Sequence, residues 1–399
     1  MDGNRTDQSI AARRGLPAWS YTSPELLDAE KELLFRRHWQ LVCHVSDLPD
    51  AGDFLTMDMV GERALVIRGK DGRVRAFHNL CRHRGSRVVA DDKGSCKSVL
   101  VCPFHGWVYN LDGTLRGASQ PDSLPALDPD EWGLKPLETD LWNGFVFVRF
   151  KPGPQPPVSQ IMARFDAELA PYGLAGLQPD GAGFWQTEVA ANWKCIRDVD
   201  NEGYHVPMAH PGLHDLFGDN YYDEPFSGGT SRSFATFRPG PGRLWSVDAY
   251  KAILPEVAAL DPDHNRGWLY IGMFPNLVFG IYPDSVIAYQ EFPVENGRTI
   301  QRGACYRYPN EDRQMRLARY LSGRIDRITS KEDEQLIEWC WEASFSSGFD
   351  GVLLSDLEIG VKSYHDELRT LFPVLNHREP DPGTLTARNA ELLARGGED

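Results

Sequence analysis

Two short motifs that each combine a cysteine with a histidine constrain this chain most. Cys81-x-His83 is followed after 18 residues by Cys102-x-x-His105, and glycines that permit tight turns stand beside both. Two thiolates and two imidazoles on neighbouring loops can hold one metal ion, or a two-iron cluster with the cysteines on one iron and the histidines on the other. Zinc fingers usually pair Cys with Cys and His with His along the chain, which is not the order here. The spacing predicts a metal centre and leaves zinc and iron–sulfur open.

The composition narrows the class of protein. A chain of 399 residues with 41% hydrophobic and 25% charged residues is typical of a folded protein of about two or three domains. A net charge of −15 disfavours non-specific binding to nucleic acid or anionic lipid. Seven cysteines, an odd number, argue against a secreted disulfide framework. No apolar run reaches the roughly 20 residues that span a bilayer, and the Arg13-Arg14 pair lacks the apolar stretch of a signal peptide. We therefore expect a cytoplasmic protein.

The hydropathy pattern changes along the chain and predicts an α+β fold. Ser23-Pro24 begins an amphipathic helix within Tyr21–Trp39, and short alternating runs from residue 41 to 150 predict a small all-β domain. Four prolines within residues 151–157 mark a linker. The predicted domains are 1–39, an N-terminal segment that packs with the catalytic domain; 40–152, the small β-domain; and 153–399, a larger domain with a curved antiparallel sheet flanked by helices. Its predicted elements are helices at Val158–Ala170, around 192–218, Asp312–Phe345 and Leu357–Leu371, and strands at Trp268–Phe274, Leu277–Tyr282, Val286–Phe292 and Thr299–Tyr308. We expect the last twenty residues to be loosely held.

A second candidate site lies in the larger domain, where His205 and His210 are five residues apart. On a regular helix their side chains would point about 140° apart, so both could not bind one ion. Pro207 lies between them, and we expect it to kink or end the helix and bring His210 beside His205. Without a third ligand, two ordinary polar histidines remain the alternative.

Asp333 is the candidate third ligand. Leu336, Ile337 and Cys340 follow it at spacings of three, four and seven residues, so the acid shares the apolar stripe of its helix. An inward carboxylate needs a partner, and a helix cap or a buried ion pair would also provide one. Its neighbours Glu332 and Glu334 are interpreted as solvated helix charges.

Both sites resemble those of one family. The stretch CRHRGSRVVADDKGSCKSVLVCPFHGWVYNLDG resembles the Rieske [2Fe–2S] domain of the ring-hydroxylating type, and NWK…EGYHVPMAH with the later KED resembles the catalytic domain of Rieske non-haem iron oxygenase α-subunits. The resemblance covers about residues 20 to 370. It implies that the cluster is held by Cys81, His83, Cys102 and His105, and that a mononuclear Fe(II) is held by His205, His210 and Asp333.

The resemblance also assigns residues around the iron. Where many members have Asp three residues before the first histidine, this chain has Glu202. On that analogy Glu202 is catalytic together with Asp333, because it would bridge His205 to His105 of an adjacent chain and give electrons a short path. Asp198 replaces a common Asn, and Tyr204 either orients the acid or packs. The other five cysteines match no ligand position and are interpreted as buried or partly buried free thiols.

The implied reaction is oxygenation with electrons supplied by another protein. The chain has neither a GxGxxG dinucleotide motif nor a plant-type cluster motif, so NAD(P)H would act through a separate flavin or iron–sulfur reductase. The resemblance implies a head-to-tail homotrimer. We expect monooxygenation of a small substrate, by hydroxylation or oxidative demethylation, with a quaternary ammonium compound favoured over hydroxylation or dihydroxylation of an aromatic acid. An electron-carrier or metal-binding protein without oxygenase activity is the alternative from another class. The candidate pocket residues are Phe217, Tyr221, Tyr222, Trp245, Tyr250 and Tyr289.

Overall fold

The computed structural model of the protein describes residues 13–396, so the first twelve residues of the predicted N-terminal segment and the last three of the predicted tail lie outside it. The chain forms two compact units. The smaller unit consists of Leu34–Asp166 and Gly173–Pro179. Of the described residues, the larger unit contains those up to Leu33, those of Ala167–Tyr172 and those from Asp180 onward.

Three small antiparallel sheets build the smaller unit, as the alternating runs predict. The Asn143-Gly144 turn joins two adjacent strands, and both of its residues have positive φ, which suits a tight hairpin. In sheet order the strands are Glu138–Trp142, Phe145–Arg149 and Gln40–His44; then Val74–His78, Glu62–Arg68, Asp53–Met59 and Lys93–Ser95; and then Val99–Val101, Val108–Asn110 and Leu115–Gly117.

A seven-stranded sheet dominates the larger unit. Its strands, in spatial order, are Gln178–Val189, Arg298–Arg307, Ser285–Glu295, Leu277–Ile281, Gly267–Met273, Thr230–Thr236 and Tyr221–Ser227. The four central strands, from Arg298–Arg307 to Gly267–Met273, were predicted from their apolar runs. Three of them are mostly buried, and Arg298–Arg307 has half of its residues buried. The other three were not predicted, because strands such as Tyr221–Ser227 bury few residues and lack an alternating pattern.

Helices surround this sheet, and the longest, Arg313–Ala343, we call the long helix. It begins where the Asp312 side chain accepts a hydrogen bond from the Met315 amide, 2.7 Å away, which caps its first turn. The other α-helices that lie wholly in the larger unit are Trp19–Thr22, Pro24–Glu30, Trp193–Asp200, Val206–Ala209, Pro211–Phe217, Trp245–Ile253, Pro262–Asn265, Ile359–Leu371 and Leu385–Ala394. Val158–Ile161 belongs to the smaller unit, and Asp166–Leu169 begins in the smaller unit and continues in the larger. Within the described residues, no helix combines the length and apolar character needed to cross a bilayer.

Most predicted helices are present with altered ends. The N-terminal helix begins after Ser23, whose side chain caps it, and ends in a π turn at Phe35 instead of Trp39. The predicted helix Val158–Ala170 is broken into short α and 3₁₀ turns. Both differences occur where helix-forming sequence meets a packed neighbour, and tertiary contacts then decide where the helix ends.

The expectation of a loosely held C-terminus is wrong for residues 385–394. They form a helix that buries Leu385, Asn389 and Leu392. The Asn389 amide donates a hydrogen bond to the Leu371 carbonyl at 3.0 Å, which satisfies a buried polar group. The segment is polar in overall composition, but its few apolar residues lie along one side of the helix and form a stripe that packs.

Candidate metal centres

Two loops of the smaller unit present the cysteines in the same local geometry. The Cys81 carbonyl accepts a hydrogen bond from the Gly85 amide at 2.9 Å, and the Cys102 carbonyl accepts one from the Gly106 amide at 3.0 Å. Both glycines have positive φ, +73° and +68°, which side-chain-bearing residues rarely adopt. The two Cys side chains are buried within one core cluster. The turn chemistry therefore places two thiols side by side, as the sequence predicted.

The histidines of the same loops lie on the outer side of the cysteines. His83 is exposed and His105 is half-buried, and their ring centroids are 4.7 Å apart. Trp107 stacks on His83 at 5.2 Å and fixes the plane of that ring. The Nδ1 atom of His105 is buried without a hydrogen-bond partner. A buried ring nitrogen without a partner is the state expected of a metal ligand, so these four residues fit a [2Fe–2S] cluster.

Tyr109 is a further member of this centre that the sequence did not single out. Its fully buried hydroxyl lies 3.3 Å from Cys81 Sγ and accepts a hydrogen bond from the Arg82 amide at 3.0 Å. A hydrogen bond to a cluster cysteine is one of the means by which proteins set a cluster's reduction potential. The alternating strand pattern made Tyr109 a core residue, and only the fold shows that its hydroxyl reaches the thiol.

In the larger unit, the structure brings together the three residues proposed as iron ligands. The Nε2 atoms of His205 and His210 are 3.0 Å apart, and Asp333 Oδ1 lies 2.9 Å from His210 Nε2 and 3.7 Å from His205 Nε2. Octahedral bonds of about 2.1 Å at right angles separate donor atoms by about 3.0 Å. Asp333 Oδ1 is buried without a hydrogen-bond partner. These donors fit the facial set of two imidazoles and one carboxylate that binds non-haem iron.

A break in the helix aligns the two histidines, although not where the sequence predicted it. Pro207 lies in the first turn of the short helix Val206–Ala209, where a proline is tolerated. The chain leaves helical geometry at His210, with φ −121° and ψ 79°, immediately before Pro211 begins the next helix. A residue that precedes proline is disfavoured in the α region. Pro211, and not Pro207, therefore sets the orientation of His210.

Glu202 holds the first histidine. One of its carboxylate oxygens contacts His205 Nδ1 in a short hydrogen bond, and the other accepts the His205 amide at 3.1 Å. The Glu202 side chain is only 9% exposed, so it is not a solvated helix charge. With the proton on Nδ1, the Nε2 lone pair of His205 points toward the other candidate ligands.

Glu332 holds the second histidine, which corrects its interpretation as a solvated charge. Its carboxylate lies 2.9 Å from His210 Nδ1, and Asp333 lies on the other ring nitrogen. Burial opposes protonation of His210, but the contacts with Asp333 and Glu332 outweigh it and raise the pKa of the imidazole. Glu334 is exposed, as predicted. Of the residues following Asp333 on the proposed stripe, Ile337 is buried and Cys340 is exposed.

Asp198 and Tyr204, the other two residues considered near the histidines, do not contact the candidate ligands in the same way as Glu202 and Glu332. Asp198 accepts hydrogen bonds from the Tyr21 hydroxyl at 2.5 Å and from His365 Nε2 at 2.7 Å, so it joins the N-terminal segment to the helix Ile359–Leu371. Tyr204 is 55% exposed and points away from the core.

The aromatic pocket candidates separate into three groups. Phe217 and Tyr250 are fully buried in a core cluster, whereas Tyr222 and Trp245 are each 63% exposed. Tyr221 and Tyr289 are partly exposed and belong to the seven-stranded sheet. Of the other cysteines, Cys43 and Cys195 are buried and Cys96 and Cys305 are partly buried, as expected. Cys340 is exposed, so its interpretation as a buried or partly buried thiol is wrong.

Comparisons with known proteins agree with this geometry. Residues 38–128 match the family model for the Rieske [2Fe-2S] domain, and residues 180–373 match the model for the ring hydroxylating alpha subunit (catalytic domain). Each match covers one of the two metal centres described above.

Relatives match this chain over half of its length or more. The carnitine monooxygenase oxygenase subunit of Acinetobacter pittii is 30% identical over 326 residues, which are 81% of this chain and 79% of that protein. The glycine betaine monooxygenase oxygenase subunit of Pseudomonas aeruginosa is 34% identical over 50% of this chain and 45% of its own length. The crystal structure of the quaternary ammonium Rieske monooxygenase CntA with L-carnitine has a TM-score of 0.73 at 25% identity, over 90% of this chain and 96% of that one. The chain therefore belongs to the Rieske non-haem iron oxygenase α-subunits, oxidoreductases that act with O2 and carry a [2Fe–2S] cluster and a mononuclear iron.

Proposed function

We propose that this chain is the terminal oxygenase of a multicomponent system that monooxygenates a quaternary ammonium compound. The observation that carries this proposal is the convergence of His205, His210 and Asp333, with donor atoms 2.9 to 3.7 Å apart, in a chain 30% identical to a carnitine monooxygenase oxygenase subunit. An electron-carrier role does not require this second set of donors. An oxygenase requires it, because O2 is kinetically inert toward singlet organic molecules, and a ferrous iron held by these donors would supply the electrons that activate it.

We infer that this chain's own residues contribute to the reaction in two ways: they orient the metal ligands and they deliver electrons. Cys81, Cys102, His83 and His105 would hold the cluster, and the carboxylate–imidazole pairs described above keep His205 and His210 with Nε2 free. Glu202 holds a proton on His205 Nδ1. We infer that its carboxylate also accepts a hydrogen bond from His105 of an adjacent subunit, which would couple the two centres.

Oxygenase α-subunits of this family work with a separate reductase and form oligomers. For this chain we propose a flavin or iron–sulfur reductase that draws on NAD(P)H, and a homotrimer with head-to-tail contacts, since a heterologous interface that closes produces a ring. The reaction consumes one O2, two electrons and two protons, places one oxygen atom in a C–H bond and releases the other as water. Hydroxylation of a carbon beside nitrogen gives an adduct that releases an aldehyde.

A substrate screen with metal analysis tests the proposal. The holoenzyme with a reductase is expected to convert at least one of carnitine, glycine betaine and choline with one NAD(P)H oxidised per product. Anaerobically prepared protein should contain about three irons per chain, two in the cluster and one mononuclear. Asp333→Ala should reduce this to about two and leave the visible spectrum of the cluster unchanged. Turnover only of an arene to a cis-diol would contradict the monooxygenase assignment, and two irons in the wild type would contradict an oxygenase.

A further inference from the structure

One face of the seven-stranded sheet carries aromatic side chains toward the long helix. Strand alternation puts Trp268 and Tyr270 on this face, and the antiparallel register adds Tyr282 from the next strand. Trp268 stacks on Tyr282 with 3.9 Å between ring centroids, and Tyr270 meets Tyr282 edge-on at 5.8 Å. Tyr270 keeps partial exposure although it packs against the core cluster. Trp268 and Tyr282 are fully buried, so Tyr270 is the ring of this aromatic wall that borders accessible space.

Asp326 of the long helix faces this wall, and only one of its two carboxylate oxygens accepts a hydrogen bond from the described part of the protein. Its Oδ1 accepts a hydrogen bond from the Tyr282 hydroxyl at 3.1 Å, and the side chain is partly exposed. Among the residues that the structure describes, none offers Oδ2 a hydrogen bond, and no basic side chain lies within 4.0 Å of the carboxylate. Asp326 therefore presents an accessible acceptor oxygen beside the aromatic wall, where a cationic ligand can contact it.

The neighbouring acids differ from Asp326 because they are fully paired. Both carboxylate oxygens of Asp284 accept hydroxyl hydrogen bonds, from Tyr250, Ser285 and Ser322. Asp200 accepts the Tyr289 hydroxyl at 2.7 Å and pairs with Arg197 at 2.6 Å. Internal partners therefore explain these two acids, and Asp326 alone of the three has an open acceptor.

We propose that Asp326 is a substrate-binding residue that contacts the cationic head group of the substrate in front of the Tyr270–Tyr282 wall. This inference rests on the proposed function and adds a residue that selects for positive charge. Asp326 is seven residues before Asp333, which on one helix means about 10 Å along the axis and nearly the same face. A small ammonium ion held at Asp326 is thus within reach of the candidate iron ligands.

The chemistry of this site favours a cation over an anionic substrate. Aromatic rings attract a cation through their π faces, most strongly where water is excluded. Burial raises the pKa of Asp326 to about 8; the hydrogen bond from Tyr282 and the charge of Arg327 oppose this rise, and the nearby Asp284 adds to it. At pH 7 a carboxyl group with this pKa is mostly protonated, and ionising it lowers the affinity for a cation about tenfold. The attraction between the ionised carboxylate and a bound cation exceeds this cost. An aromatic acid would bring a second carboxylate to the same place and gain no such contact.

Binding titrations on the holoenzyme under anaerobic conditions test this role. The ligands are choline, carnitine, glycine betaine and 3,3-dimethyl-1-butanol, the uncharged carbon analogue of choline. The proteins are the wild type, Asp326→Asn, which keeps the shape and the bond to Tyr282, and Asp326→Glu, which keeps the charge. We expect each quaternary amine that binds the wild type to bind Asp326→Asn at least about tenfold more weakly. Binding of the uncharged alcohol should change less than about twofold, and Asp326→Glu should recover part of the loss.

The outcomes separate this inference from the proposed function. If the wild type turns over a quaternary amine and Asp326→Asn binds it equally well, only the role of Asp326 is wrong. An equal loss of the charged and uncharged ligands would also overturn that role, because it would show a change in packing. If the wild type neither binds nor turns over any of the three amines, both proposals fail. The visible spectrum of the cluster and the melting temperature of each variant confirm that the comparison is made on folded protein.

Discussion

At the scale of single residues, two carboxylates that are not metal donors set the tautomer and orientation of the two imidazoles. Glu202 contacts His205 Nδ1, and Glu332 contacts His210 Nδ1, so each histidine is fixed in the tautomer that leaves Nε2 free. Such outer partners raise the basicity of an imidazole and hold its plane. Glu332 should therefore contribute to iron retention although it is not a donor.

Substituting Glu332 with Gln should weaken Fe(II) binding about 10- to 100-fold, because the amide keeps the shape and loses the charge. The measurement is iron content after dialysis against graded chelator, read beside the cluster spectrum, which should not change. Glu334→Gln, on the exposed side of the same turn, is the matched control. Equal iron retention in both variants would show that the contact with His210 is only structural.

At the scale of elements, substitutions in the helix Leu385–Ala394 test how much its packing stabilises the protein. Leu392 is fully buried, and the adjacent Leu393 is 45% exposed. Leu392→Ala should lower the free energy of unfolding by about 2–5 kcal/mol, since it removes buried methyl groups and leaves a cavity. Leu393→Ala should change it by less than about 0.5 kcal/mol. Denaturant titration followed by fluorescence measures both, and similar values would show that this helix does not pack as described.

The elements also show what the sequence could and could not predict. The four central strands and the long helix were predicted nearly to their ends, because apolar runs and capping residues such as Asp312 are local signals. Asp333 was proposed as a ligand because Leu336 and Ile337 follow it on the same side of the helix, and the structure places it beside His205 and His210. Glu332 was missed because it lies about 100° around the helix from that side, where an acid normally faces water. Its partner His210 comes from a helix break more than a hundred residues earlier, and no local pattern reports such a contact.

At the scale of the whole molecule, electron transfer between subunits can be tested by mixing defects. Cys102→Ser should remove the cluster and Asp333→Ala the mononuclear iron, so each variant alone should be inactive. If electrons cross from the cluster of one subunit to the iron of the next, mixed trimers of the proposed ring should regain about a third of wild-type activity, since one of the three contacts in each mixed trimer joins two intact centres. Co-expression with two affinity tags isolates the mixed species. No recovered activity would indicate transfer within a chain and would contradict the proposed role of Glu202.

The order of the ligands along the chain has a consequence for biosynthesis. The cluster loops close within residues 81 to 105, whereas the donor set at the second centre is complete only when Asp333 joins two histidines from much earlier. Chains emerge at about 5–20 residues per second, and early domains fold first. The smaller unit can therefore accept its iron and sulfide while the long helix is still unmade. Cofactor insertion into this protein should be sequential, with mononuclear iron entering last.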